Sequence, residues 1–214
     1  MTKTVLLTGF EPFNKEAINT AWEAVRALQG WSGEGFRVEV RQLPCVFGEA
    51  IRVIEAAMKE VKPAVVIAVG QAGGRVDLSL ERVAINVDDA PIPDNAQCQL
   101  VDSAIVEGGP AAYFSSLPIK SMVAALRAAG LPASVSQTAG TFVCNHVFYG
   151  LMHATAGTDV KAGFIHIPYL PEQAAAHPGA ASMGLPDMVR GLRIALEVTV
   201  SGGEDVSAAG GATH

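Results

Sequence analysis

The chain has 214 residues, half of them hydrophobic and 17% charged, with a formal net charge of -6. This composition excludes a disordered chain and fits one well-packed domain, while the acidic balance without any basic run argues against nucleic acid or an anionic membrane as partner. No apolar run reaches the ~18 residues of a spanning helix, and three widely spaced cysteines make no disulfide framework, so a reduced, cytoplasmic setting is expected.

The opening "MTKTVLLTGFEPF" lacks the ordered regions of a signal peptide. Lys3 to Phe10 reads instead as a first buried strand, because it is a short apolar run ending at Gly and Phe. "INTAWEAVRALQG" has helical spacing through Trp22, Val25 and Leu28 and stops at Gly30. "FRVEVRQLP" alternates as a strand does, "FGEAIRVIEAAMKEV" is an amphipathic helix, and "PAVVIAVG" is a second continuous apolar strand. Strands alternating with helices predict an α/β fold: a three-layer α/β/α sandwich with a twisted, mostly parallel central sheet. The middle is different. "RVDLSLERVAINVDDA" suggests extended or hairpin structure, and "PIPDNAQCQLVDSAIVEGGP" is irregular and too long for a passive connection. The α/β pattern then returns: "IKSMVAALRAAG" as helix, "ASVSQT" as strand, Asn145 to Thr155 as helix, "KAGFIHIPY" as strand and "SMGLPDMVRGLRIALEVTV" as a last helix despite Pro186. The expected domain spans residues 1–200, and 201–214, rich in small and polar residues, reads as a disordered tail.

Cys144 falls between a predicted strand and a predicted helix. The unpaired amides and dipole of a helix N-terminus favour a thiolate there, below the ordinary thiol value of ~8.5, and can also hold an oxyanion. Cys45 in "LPCVFGEA" has the same setting, Cys98 lies in the irregular segment, and a buried apolar role is open to each. A base would come from the histidines. His166, at a strand end where open α/β sheets form their crevice, is one candidate, although a core histidine has the same pattern. His146 and His153 share one helix face, His177 sits in turn chemistry and His214 in the tail. His146 and Cys144, two apart on a helix, point in different directions, and no C-x-x-C or H-E-x-x-H pattern occurs, so neither metal nor cofactor is expected. Glu81 is a charge inside an apolar stretch, with Asp88, Asp89 and Asp94 as rival carboxylates. "VGQAGGR" is either a tight turn or a backbone cradle for a small polar ligand, with phosphate as one option beside Arg75.

Read together, "TGFEPF", "LPCVFGEA", "AVGQAGGR", "ERVAINVDDA", "IPDN", "SQTAGTFVCNH" and "GFIHIPYLPEQ" resemble the pyroglutamyl peptidase I family of cysteine peptidases in this order, up to about Val200. The resemblance implies Cys144 as nucleophile, His166 as its base and Glu81 as the orienting acid. It implies hydrolysis of the amide after an N-terminal pyroglutamate, with N-terminally pyroglutamylated peptides as partners, no cofactor, and a homotetramer. For a flat lactam it implies apolar walls from Phe10, Phe13, Phe142, Val143 and Ile92, hydrogen bonds at Gln71, and a further contact at Asn19. Two departures stand out. Pro91 in "DDAPIPDN" replaces a common arginine, and "NKEAINTAWE" replaces a loop that commonly carries Gly-Gly. A phosphorylase-like enzyme using "GQAGGR", in a family whose fold resembles nucleoside phosphorylases, and a non-catalytic pyroglutamyl-peptide binder are the rival readings.

Overall fold

The computed structural model describes residues 2–211. Strands β1 (Lys3–Phe10), β3 (Phe36–Leu43), β4 (Val65–Gln71) and β9 (Lys161–Ile167) form a parallel centre. The short β2 (Ser32–Gly33) closes one edge antiparallel to β3. On the other side β5 (Leu78–Glu81) runs antiparallel to β9 and carries β8 (Ala133–Ser136) parallel to itself. The seven strands lie in the order β2-β3-β1-β4-β9-β5-β8. The apolar runs of β1, β4 and β9 follow from this position, since central parallel strands are covered on both faces.

Helices α1 (Thr20–Arg26), α3 (Ile119–Ala128) and α6 (Leu185–Ser201) pack with Val5, Leu7, Ile67, Leu80 and Ile165 on one face. On the other, α2 (Glu49–Val61) and α4 (Val143–Thr155) cover Leu6, Val66, Ala68 and Phe164. This is the three-layer sandwich expected from the alternating pattern. Pro186 sits in the first turn of α6, where a missing N–H breaks no intrahelical bond, so it starts the helix rather than interrupting it. The helix predicted from Asn145 begins two residues earlier, at Val143.

Three features were not expected. Strand β6 (Val83–Ile85) pairs antiparallel with β7 (Ala112–Phe114) in a separate two-stranded ribbon. A four-residue helix α5 (Pro171–Ala174) follows β9. The long irregular segment folds back on Asn86, whose Oδ1 accepts the N–H groups of Ile105 and Val106, each at 2.9 Å. After α6, residues 203–211 have no regular secondary structure but lie along α3 and β8. There Asp205 accepts the N–H of Ser121 at 2.7 Å, and Arg82 donates to the carbonyl of Gly210 at 2.9 Å. His214 lies outside the described residues. Among the described residues no helix is long and apolar enough to cross a membrane.

Candidate active site

The sheet brings Glu81 and His166 together. Ser79 of β5 pairs with His166 of β9, and Glu81, two residues further on, projects to the same face of the sheet. Its Oε1 lies 2.7 Å from His166 Nδ1. Glu81 is fully buried and His166 nearly so. Two of the rival carboxylates are committed elsewhere and the third is exposed. Asp94 accepts the N–H groups of Phe47, Ala96 and Cys98, Asp88 meets His146 Nδ1 at 2.7 Å, and Asp89 is exposed, its N–H bonded to the carbonyl of Thr141.

Cys144 occupies the second position of α4. The residues after it anchor the helix start. Asn145 exchanges hydrogen bonds with the backbone of Ile85, accepting at 3.1 Å and donating at 2.9 Å, and also donates to Val87 O. His146 Nε2 accepts the N–H of Gly48 at 2.8 Å. The sulfur faces Gly70, the sheet partner of His166: a Cβ placed on Gly70 would stand 3.0 Å from Sγ. Sulfur and imidazole therefore share one rim position at the C-terminal ends of β4 and β9.

The thiol does not behave as its position on a helix suggested. Burial pushes its pKa well above the ordinary value, Cys45 and Glu81 add to the rise, and Arg75 opposes it. Losing the solvation of the anion outweighs the helix terminus. Cys45 is likewise pushed up to about 12 by burial, with Glu11 and Asp94 adding. It is buried, whereas Cys144 is half-buried and faces Gly70, the strand partner of His166.

The sequence profile of the pyroglutamyl peptidase family matches residues 3–202. The chain belongs to that family. It is 63% identical to pyrrolidone-carboxylate peptidase 1 of Ralstonia nicotianae and 64% identical to the pyrrolidone-carboxylate peptidase of Cupriavidus pinatubonensis, with at least 99% of every chain covered. The crystal structure of pyroglutamyl peptidase I from Bacillus amyloliquefaciens superimposes with a TM-score of 0.95 at 45% identity, covering 98% of this chain and all of that one. A mutant pyrrolidone carboxyl peptidase from Pyrococcus furiosus gives a TM-score of 0.90 at 41% identity, covering 92% of this chain and 98% of that one.

Within this member of the pyroglutamyl peptidase family the expected wall residues divide. Phe13 and Phe142 are half-buried with ring centroids 6.1 Å apart, and Phe47 stands edge-on to Phe142 at 5.5 Å, so an aromatic group lines the approach to the cysteine loop. Phe47 was not singled out in the sequence, where it reads as one more apolar residue before a helix. Phe10 and Val143 are buried in the core. Ile92 is half-buried near this group, held by Asp94 on Phe47 and by Asn95, which donates to Pro12 O at 2.9 Å. The Asn19 side chain caps α1 through the N–H of Ala21 and donates to Glu11 O, and the Gln71 carboxamide accepts from Thr20 N and Gln173 Nε2. The Asn19 side chain and the Gln71 carboxamide oxygen are thus spent on the scaffold. Asn14 and Lys15 have φ values of 50° and 64°, the left-handed conformation that a Gly-Gly loop would enter without strain. Pro91 is exposed next to Asp89 and Ala90, and Thr141 Oγ1 donates to Asp89 O at 2.7 Å, which sets Pro91 beside the cysteine loop. Arg75 turns inward, its Nη2 meeting Glu81 and the carbonyl of Thr138, so that nitrogen is engaged within the protein rather than presented to a phosphate.

Proposed function

We propose that this cysteine exopeptidase hydrolyses the amide bond after an N-terminal pyroglutamate using Cys144, His166 and Glu81. The observation that carries the assignment is the buried Glu81–His166 hydrogen bond of 2.7 Å beside a cysteine in the first turn of a helix. Its Nδ1 proton is donated to Glu81, which leaves Nε2 free to take the thiol proton. Because burial keeps the resting thiol protonated, that transfer accompanies attack of Sγ on the pyroglutamyl carbonyl. The first-turn N–H of Cys144 stabilises the oxyanion. Nε2–H then protonates the leaving amine as the C–N bond breaks. Water adds to the thioester while His166 takes its proton, and pyroglutamate leaves as the thiol is restored. Phe13, Phe47 and Phe142 suit a flat, uncharged lactam, for which a charged pocket would serve no purpose.

The reading includes a cytoplasmic setting, which three free cysteines support. It also includes a homotetramer, for which the exposed Val101 of the irregular segment and Phe114 of β7 offer apolar surface. The direct test is hydrolysis of a pyroglutamyl fluorogenic amide with and without iodoacetamide, the alkylated residue being located by mass spectrometry. Cys144→Ala and His166→Ala are expected to lose turnover while remaining folded, and Cys45→Ala to keep it. Full activity in Cys144→Ala would sink the assignment.

A further inference from the structure

Glu81 has no solvent exposure, and its Oε2 has no hydrogen-bond partner among the described residues. A carboxylate so placed needs a paired positive charge, and a neutral imidazole does not supply one. Arg75, in the turn after β4, places Nη2 3.3 Å from Glu81 Oε1. The same nitrogen donates to Thr138 O at 3.0 Å, in the loop that leads into Cys144. The Arg75 side chain is 29% exposed, so it enters from the rim while Glu81 lies beneath.

Resting on the catalytic assignment above, we propose that Arg75 is a positioning residue of the catalytic group: it braces Glu81 against the Cys144 loop and supplies the charge that balances the reacting set. When the thiol proton has passed to His166, the set holds a thiolate, an imidazolium, the Glu81 carboxylate and the Arg75 guanidinium, and the charges cancel. Without Arg75 the same state is a net anion in a site largely closed to solvent. The titratable groups facing the sulfur are Cys45 from the loop before α2, Glu81 from β5, His166 from β9 and Arg75 from the turn after β4. Of the titratable groups acting on the thiol, Cys45 and Glu81 oppose its ionisation and Arg75 favours it.

The test is the pH dependence of Cys144 alkylation by iodoacetamide, a neutral reagent, measured beside kcat/KM for the fluorogenic amide in wild type, Arg75→Gln and Arg75→Lys. The Gln variant is expected to slow alkylation about tenfold at each pH below the thiol's midpoint, equivalent to a displacement of about one pH unit to the alkaline side. The Lys variant keeps the charge and is expected to hold the wild-type midpoint while losing turnover through the altered brace. A Gln profile that superimposes on wild type overturns the proposal even if turnover falls, because a purely structural contact would not set the thiol's titration. If the Gln variant fails to fold, Arg75→Met, which also removes the charge, is read in its place: an alkaline displacement of the midpoint supports the proposal, and a profile that superimposes on wild type overturns it. Wild-type protein that alkylates at Cys144 without any turnover to lose would instead sink the catalytic assignment, independently of Arg75.

Discussion

Gly70 faces Cys144 where no side chain has room. A Cβ there would meet the Phe164 ring at 2.8 Å and Cys144 Sγ at 3.0 Å. Phe164 in turn lies 4.8 Å from the His166 ring, so one methyl group would press on both the sulfur and the packing behind the imidazole. Gly70→Ala is therefore expected to lower kcat/KM by at least tenfold while destabilising by only about 1–3 kcal/mol, the usual cost of overpacking. Turnover assays paired with urea unfolding separate the two effects. An unchanged kcat/KM would show that the sulfur does not need the space Gly70 leaves. In the sequence, this glycine reads only as the end of a strand, because the atoms that exclude a side chain come from residues 74 and 94 positions away.

At the scale of elements, α4 is fastened to its neighbours by Asn145 and His146, the two residues after Cys144. Backbone N–H groups only donate, so His146 Nε2, facing the Gly48 N–H, is the unprotonated nitrogen, and Nδ1 carries the proton toward Asp88. His146 thus joins the N-terminus of α2 to the irregular segment, and its ring stands edge-on to Phe47 at 5.3 Å. His146→Ala leaves the Gly48 N–H and a nearly fully buried Asp88 unpartnered, and a loss of about 2–4 kcal/mol is expected in chemical denaturation. His146→Gln, which can replace the acceptor, and His146→Asn, which can replace the donor, should each recover part of it. An alanine variant as stable as wild type would remove this role. Periodicity made the long elements legible, because a strand buried on both faces and an amphipathic helix each leave a pattern within one segment. It could not reveal β7, three residues with no buried face, nor pairings such as Glu81 with His166 across 85 residues. The resemblance to a known family pointed to Cys144, His166 and Glu81 as the proposed catalytic set, but not to Phe47 or to the partners of His146 and Arg75.

At the scale of the whole molecule, the segment after α6 returns to cap another helix. Pro118, the N-cap of α3, has no side chain that can accept from the first-turn amides. Asp205 does so instead, accepting from Ser121 N at 2.7 Å, Lys120 N at 3.2 Å and Ser121 Oγ at 2.9 Å. Burial alone would raise this carboxyl, but the donors from Ser121, Lys120 and Val206 outweigh it and hold the pKa below the usual carboxylate range. A depressed folded value means that the contact adds stability above the unfolded value of ~3.9 and loses it as pH falls through the lower folded value. Acidification below about pH 4 is thus expected to free residues 203–211 and speed amide exchange at Lys120 and Ser121, judged against segments with no acid-sensitive cap. Asp205→Ala should produce the same local exposure at neutral pH and a stability loss of about 0.5–2 kcal/mol, as for other lost N-caps. Turnover should be retained, because the Asp205 side chain bonds to the start of α3, away from Cys144, His166 and Glu81. Hydrogen exchange followed by mass spectrometry reads both, and equal exchange at Ser121 in variant and wild type would mean that the tail does not cap α3.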